Sequence, residues 1–185
     1  MHSRISEVLD YLDTQRAGLM AAVKTMSPDL MSRRPSPDRW SAAQVVSHLG
    51  IVEASIAALI RQRLLEARAA GLGPDPDTSP ILPTLDVARL LDRERALVAG
   101  ERSRPPEAPI MDDAIATLER TRNILRSAIE RADGLALGEV TAPHPLLGSL
   151  NLYQWLIFLG AHEARHAAQI REIATALAVE PTSGT

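Results

Sequence analysis

The sequence predicts an all-α fold: a four-helix bundle with one extra short helix in the connection between the second and third long helices. Three observations predict it. Ala, Leu and Arg dominate the chain, aromatic residues make up only 3%, and strand-forming runs are absent, which is the composition of helices. Four long stretches carry apolar residues at spacings of three, four and seven, the period of a helix with one buried face. Proline falls in the stretches between them, where a helix must end.

The first helix is predicted from Ser3 to Met26, with Ser3 as N-cap and a stripe of Ile5, Val8, Leu12, Leu19, Ala22, Val23 and Met26. Ser27-Pro28 ends it and opens a short turn to Met31. Arg33 to Arg39 is a connector. The second helix has the clearest start signal of the chain. In Ser41-Ala42-Ala43-Gln44 the Ser41 hydroxyl can accept from the Gln44 amide while the Gln44 side chain reaches back, a capping box. Trp40 and Val45 take the flanking staple positions. The inward stripe is Val45, Leu49, Val52, Ile56, Leu59 and Ile60, and His48 falls within it. Gly71 stops the helix.

Gly73 to Pro83 reads as a loop. Leu85 to Ala99 has the apolar spacing of the extra short helix, through Val87, Leu90, Leu91 and Leu97. Arg104 to Pro109 is a second loop. The third long helix spans Met111 to Asp133, with Ile115, Leu118, Ile124, Leu125 and Ile129 inward and Gly134 after it. Thr141 to Ser149 is a tight connector. The last helix begins near Asn151, with Gln154 three residues on. Its stripe is Leu152, Trp155, Leu159, His162, His166, Ile170, Ile173 and Leu177. Ile157 and Phe158 lie off that stripe, where an apolar patch would suit a homodimer interface. Residues 1–179 make one domain, followed by a flexible tail at 180–185.

Apolar residues are 45% of 185, enough for a substantial core. The net charge of -3, with both signs mixed along the chain, gives no basic footprint for nucleic acid and no polybasic patch for a membrane surface. No uninterrupted apolar run reaches the length of a membrane span, and no signal-peptide pattern opens the chain, so a cytoplasmic location is expected. The chain has no cysteine. A metal must therefore be held by His, Asp, Glu or water, and any thiol chemistry needs a thiol from outside.

Histidine carries the functional signal. Only five occur. His162 and His166 are four residues apart and project to one side of the last helix. His48 interrupts the stripe of the second helix. Burying three unpaired imidazoles would cost a few kcal/mol each, whereas one shared divalent ion satisfies a nitrogen on each ring and leaves open positions. Zinc, nickel and iron all suit such a set. His162-Glu163-Ala164-Arg165-His166 also matches the HExxH pattern of zinc peptidases, with Glu163 as general base. Only Glu172 and Glu180 could serve there as a downstream third ligand, and no edge strand for a peptide is evident. A helix-surface or bracing carboxylate is therefore the favoured role for Glu163. His144, between prolines, could line the mouth of a pocket. Arg165 and Gln169 flank the ligand turn and could bind a substrate or brace a ligand.

The run from Trp40 through Ser41-Ala42-Ala43-Gln44 to His48-Leu49 resembles the second-helix motif of DinB-like proteins. His144-Pro145-Leu146-Leu147-Gly148, Gln154-Trp155-Leu156 and His162 through Ile170 resemble their last-helix motif, in the right order. The resemblance is weakest across Gly73 to Pro109. It implies a four-helix bundle, often a homodimer, with one divalent metal on His48, His162 and His166. Such proteins include metal-dependent hydrolases and transferases of low-molecular-weight thiols acting on small-molecule substrates. Related domains occur in mycothiol-dependent isomerases and in iron enzymes of ergothioneine synthesis. A non-catalytic metal-binding stress or ligand-binding protein is the other reading, because this fold and site serve different chemistries.

Overall fold

The computed structural model of the chain describes residues 1–94 and 100–179. Four long helices dominate: α1 (Ser3–Lys24), α2 (Ala42–Ala69), α4 (Met111–Glu130) and α5 (Leu152–Val179), with the short α3 (Ala88–Leu91) between α2 and α4. A two-stranded antiparallel hairpin, β1 (Thr141–His144) and β2 (Gly148–Asn151), precedes α5. The expected four-helix bundle with an extra short helix is what the chain builds.

The helix starts follow local chemistry. The Ser41 capping box is present: Gln44 N donates to Ser41 Oγ at 3.2 Å and Ser41 N donates to Gln44 Oε1 at 3.1 Å. The last helix repeats the device, with Gln154 N to Asn151 Oδ1 at 2.9 Å and Asn151 N to Gln154 Oε1 at 3.0 Å. Each satisfies two amides that the first turn leaves without partners. For α1 the cap is His2 rather than Ser3, its ring Nδ1 accepting from Arg4 N at 3.4 Å. Gly71 directly follows the C-cap of α2 with φ of 85°, the left-handed conformation that terminates a helix without side-chain strain. α4 is capped at Arg131, and Gly134, at φ 78°, belongs to the turn beyond it.

Four expectations are corrected. The Leu85–Ala99 helix shrinks to Ala88–Leu91 among the described residues, and 95–99 lie outside them. Asp92 ends it: its backbone turns extended and its carboxylate accepts from Glu94 N at 3.0 Å, a local bond that competes with the helix. Thr141–Ser149 is part of the hairpin rather than a plain connector, turned by Gly148 at φ 76°. Pro143 is tolerated because a two-stranded ribbon has only edges, where a missing donor need not break a ladder. Ile124 is 43% exposed, because at about 100° per residue it stands roughly 120° from the Leu118–Leu125–Ile129 line. The apolar patch expected at Ile157 and Phe158 is absent: Ile157 is 1% exposed in the core, and Phe158 faces a cleft. Phe158 lies four residues before His162 and so shares its face. The expected tail at 180–185 lies outside the described residues.

α5 packs along α1, and α2 packs along α4, with further contact between α2 and α5. Contacts such as Gly160 against Tyr11 and Glu163 against Arg16 make α1 and α5 parallel. Gly50 against Leu118 and Glu53 against Arg122 make α2 and α4 parallel. The two pairs run in opposite directions. The chain after α2 must therefore return along the bundle before α4 begins, which is why residues 70–110 form so long a connection. Within described residues, α2 alone is long and apolar enough to cross a membrane, but 61% of its apolar window is buried inside the fold, as befits a core helix.

The apolar core is divided in two. One cluster contains Leu12, Ile56, Leu125 and Leu159, and the other contains Leu19, Leu49, Leu118 and Ile170. Between these levels, each long helix contributes polar residues: Arg16, Glu53, Thr121 and Arg122, and the turn His162 to His166.

Gly160 allows α1 and α5 their close approach, since a Cβ there would lie 2.3 Å from Tyr11 Cε1. Ala normally stabilises a helix interior over Gly by about 1 kcal/mol. Here Gly160→Ala is expected to destabilise the protein by about 1–3 kcal/mol through overpacking, measured by urea denaturation. A gain in stability would contradict this packing.

Candidate metal centre

The three histidines singled out in the sequence meet. His48 Nε2 lies 3.3 Å from His162 Nε2, and His166 Nε2 lies 3.1 Å from the same atom. One ligating nitrogen from each ring falls within 4.8 Å of the other two. His162 and His166 share a face of α5 because they are one turn apart. α2, antiparallel beside them, delivers His48 at the same depth.

The tautomers follow from the outer nitrogens. His48 Nδ1 is 2.6 Å from the Ser103 carbonyl oxygen, and His166 Nδ1 is 2.7 Å from Gln169 Oε1. Both partners are acceptors, so each neutral ring carries its proton on Nδ1 and turns the Nε2 lone pair inward. His162 Nδ1 is buried with no partner. A single N–H on His162 can serve only one of the two inward lone pairs facing it. A set with more acceptors than donors at its centre is a fit for a cation, and three neutral imidazoles are a sound donor set for one.

Burial keeps these rings neutral. It lowers the pKa of His48, lowers His166 to about 3, and takes His162 well below the ordinary value, with neighbouring His166 and His48 adding to the effect. Nearby rings also brace the site. Trp40 lies 5.0 Å from His48 between ring centres, and Phe158 stacks on His162 at 5.7 Å and 18°.

A cleft of about 960 Å³ opens over the histidines, walled by α2, α5, the hairpin and residues 100–104. His144, Arg165 and Gln169 all line it. Gln169 braces His166, as above. Arg165 donates to the Leu90 carbonyl at 2.9 Å and to that of Asp92, tying α3 onto α5. His144 accepts on Nδ1 from the backbone amides of Leu146 and Leu147 at 3.1 and 3.2 Å. Its ring rests 4.4 Å from Phe158.

Glu163 goes elsewhere. At about 100° per residue it leaves the histidine face and is 1% exposed on the side of α1 and α4. Arg16 Nε donates to its Oε1 at 2.8 Å, and Arg122 Nη2 lies 3.0 Å from Oε2 in an ion pair without hydrogen-bond alignment. The same arginines hold Glu53, with Arg16 Nη2 at 2.6 Å and Arg122 Nε at 2.5 Å. Two carboxylates and two guanidiniums thus compensate one another out of water. Burial raises the Glu163 pKa, opposed by Arg122 and Arg16. Burial opposes the charge on Arg122, but Glu163 and Glu53 more than offset it and raise its pKa. The favoured helix-surface position for Glu163 is therefore corrected, since the side chain is buried, and the alternative general-base role is too, because its carboxylate is committed to this network rather than the cleft. The sequence reading missed Glu53, Arg16 and Arg122. The available signal was a charge at the apolar period of α2 and of α4, at matching depth.

Removing one partner of such a network leaves a buried charge unmatched, at a cost of about 3–5 kcal/mol. Glu163→Gln is expected to lower stability on that scale by chemical denaturation; a change below about 1 kcal/mol would mean the network is solvated. A second expectation concerns acid. Without an ion, the unfolded chain takes up protons on these histidines below the ordinary 6.5, while folded His166 resists down to about 3. Stability of the metal-free protein should therefore fall as pH drops from 6.5 toward 3, and less steeply in His166→Gln. Identical pH dependence of the two proteins would contradict it.

Comparison with known proteins agrees with this architecture. A sequence model of the DinB superfamily matches residues 11–170. An uncharacterized protein, YuaE, of Bacillus subtilis (strain 168) is 27% identical over 152 residues, 82% of this chain and 87% of that protein. The crystal structure of TT2238, described as a four-helix bundle protein, superposes with a TM-score of 0.58 at 23% identity, covering 91% of this chain and 98% of that one. At that identity the likeness establishes the fold. With the family match spanning most of the chain, the protein belongs to the DinB superfamily.

Proposed function

We propose that His48, His162 and His166 hold one divalent ion, zinc, nickel or iron, and that the cleft is the active site of a small-molecule transferase using a low-molecular-weight thiol. The observation that carries this reading is the convergence of three Nε2 atoms, two with their lone pairs turned inward by fixed outer partners. An ion on three neutral ligands keeps its full charge and lowers the pKa of a thiol or water in an open position.

The chain's own residues supply the rest. The Ser103 carbonyl and Gln169 orient the ligands and make them more basic. Phe158 and Trp155 form an apolar wall beside His162 and displace water from it. With no cysteine in the chain, a thiol nucleophile enters as a cosubstrate. Glu163 is held by arginines, so a peptidase mechanism lacks its base. Membership in the DinB superfamily supports the metal, and the thiol rests on the resemblance described above.

Protein purified without a polyhistidine tag or chelator is expected to carry about one ion per chain by elemental analysis. His162→Ala should lose it. With a model electrophile and several small thiols, the loaded protein should raise the conjugation rate and His162→Ala should return it to background. Absence of metal, or equal rates with and without protein, would overturn the proposal. Ester cleavage without added thiol would assign the same centre to hydrolysis instead.

A further inference from the structure

The cleft extends beyond the Trp155 and Phe158 wall beside His162, and its outer lining carries features of its own. Its walls are apolar: Val52, Ile56 and Leu59 from α2, Leu146 from the hairpin, and Trp155 and Phe158 from α5. Its rim is basic: the exposed Arg39, Arg102 and Arg104 line it against one acid, Asp38, while the lining Arg165 is buried and held by the Leu90 and Asp92 carbonyls. Arg39 is near Glu172, at 3.6 Å, but Glu172 is already held by Arg93 through two bonds of 3.0 and 2.7 Å. Arg102 and Arg104 are exposed and have no ion pair or hydrogen bond from their side chains among the described residues.

His144 adds a donor of fixed direction. Two backbone amides donate to its Nδ1, so that nitrogen has no proton and the neutral ring carries it on Nε2. No acceptor for that N–H occurs among the described residues, and the ring forms part of the cleft wall beside Trp155 and Phe158. A histidine whose tautomer is set by a β-turn is a donor held ready for a ligand oxygen.

We infer that the cleft selects an amphipathic organic anion: its apolar body lies against Leu59, Leu146, Trp155 and Phe158, its carboxylate, phosphate or sulfonate meets Arg102 and Arg104, and His144 Nε2–H donates to an acceptor oxygen. This deepens the function proposed above by naming its substrate class. It requires the cleft to be the ligand site but does not require the ion. Apolar walls with a few convergent polar groups are the usual make-up of a small-molecule site, and guanidinium is well matched to planar oxyanions.

The test uses the full chain, zinc-loaded and metal-free, titrated with two fluorescent probes of similar shape. Anilinonaphthalene sulfonate is anionic and N-phenylnaphthylamine is uncharged. The sulfonate is expected to bind about tenfold more tightly, the scale of one charge-assisted contact. Arg102→Gln with Arg104→Gln should bring the two probes to within about twofold, leaving the uncharged probe, metal content and thermal unfolding unchanged. His144→Phe should weaken the sulfonate about threefold and spare the uncharged probe. Equal binding of both probes by the unaltered protein would overturn the inference. So would selectivity seen only with zinc and untouched by the double substitution, because the ion rather than the rim would then read the charge. Selectivity kept in a protein that never takes up metal would sustain this inference while removing the metal-dependent function.

Discussion

The buried ion network of Arg16, Glu53, Arg122 and Glu163 sets the geometry of this bundle. Two carboxylates and two guanidiniums at one depth would each be costly to bury alone, and they are tolerable only in mutual contact. Their contacts join all four long helices at that level. An apolar core of leucine and alanine could slide by a turn and still bury its surface. A network of paired charges cannot, so it fixes the relative depth of the helices, the role best attested for buried polar groups.

That depth is also the depth of the histidines. The turn from His162 to His166 on α5 looks two ways: Glu163 joins α5 to α1 and α4, while His162 and His166 face α2. Locking Glu163 therefore fixes the rotation of α5 and the height at which its histidines meet His48. The network needs no external ion because its charges already cancel. The histidine set has the opposite character, with neutral rings and lone pairs directed inward. The polar layer between the two apolar clusters is thus closed and self-sufficient on one side, and on the other opens to the cleft with neutral donor rings.

Much of this was legible in the sequence, and the physical reasons differ by element. The long helices announce themselves through the periodicity of Leu and Ile, and the starts of α2 and α5 through side chains that cap locally. His162 and His166 are legible because a spacing of four fixes their shared face. His48 could be placed on its stripe, but its meeting with the other two depends on long-range packing. Glu163, read in preference to the HExxH base as a helix-surface or bracing carboxylate, was misplaced because its burial is decided by arginines on two other helices. Phe158 was misread because the stripe was traced through Trp155, Leu159 and His162, although a spacing of four puts Phe158 on the His162 face that lines the cleft. The hairpin was missed because two four-residue strands containing Pro143 carry too little alternation to show.

The central claim is that imidazoles from α2 and α5 converge on one cation. X-ray absorption at the zinc edge of the loaded protein tests it most directly. The account predicts a first shell with three imidazole nitrogens at about 2.0–2.1 Å, falling to two in His48→Ala. A shell of oxygens without imidazole scattering, or one unchanged by that substitution, would contradict it.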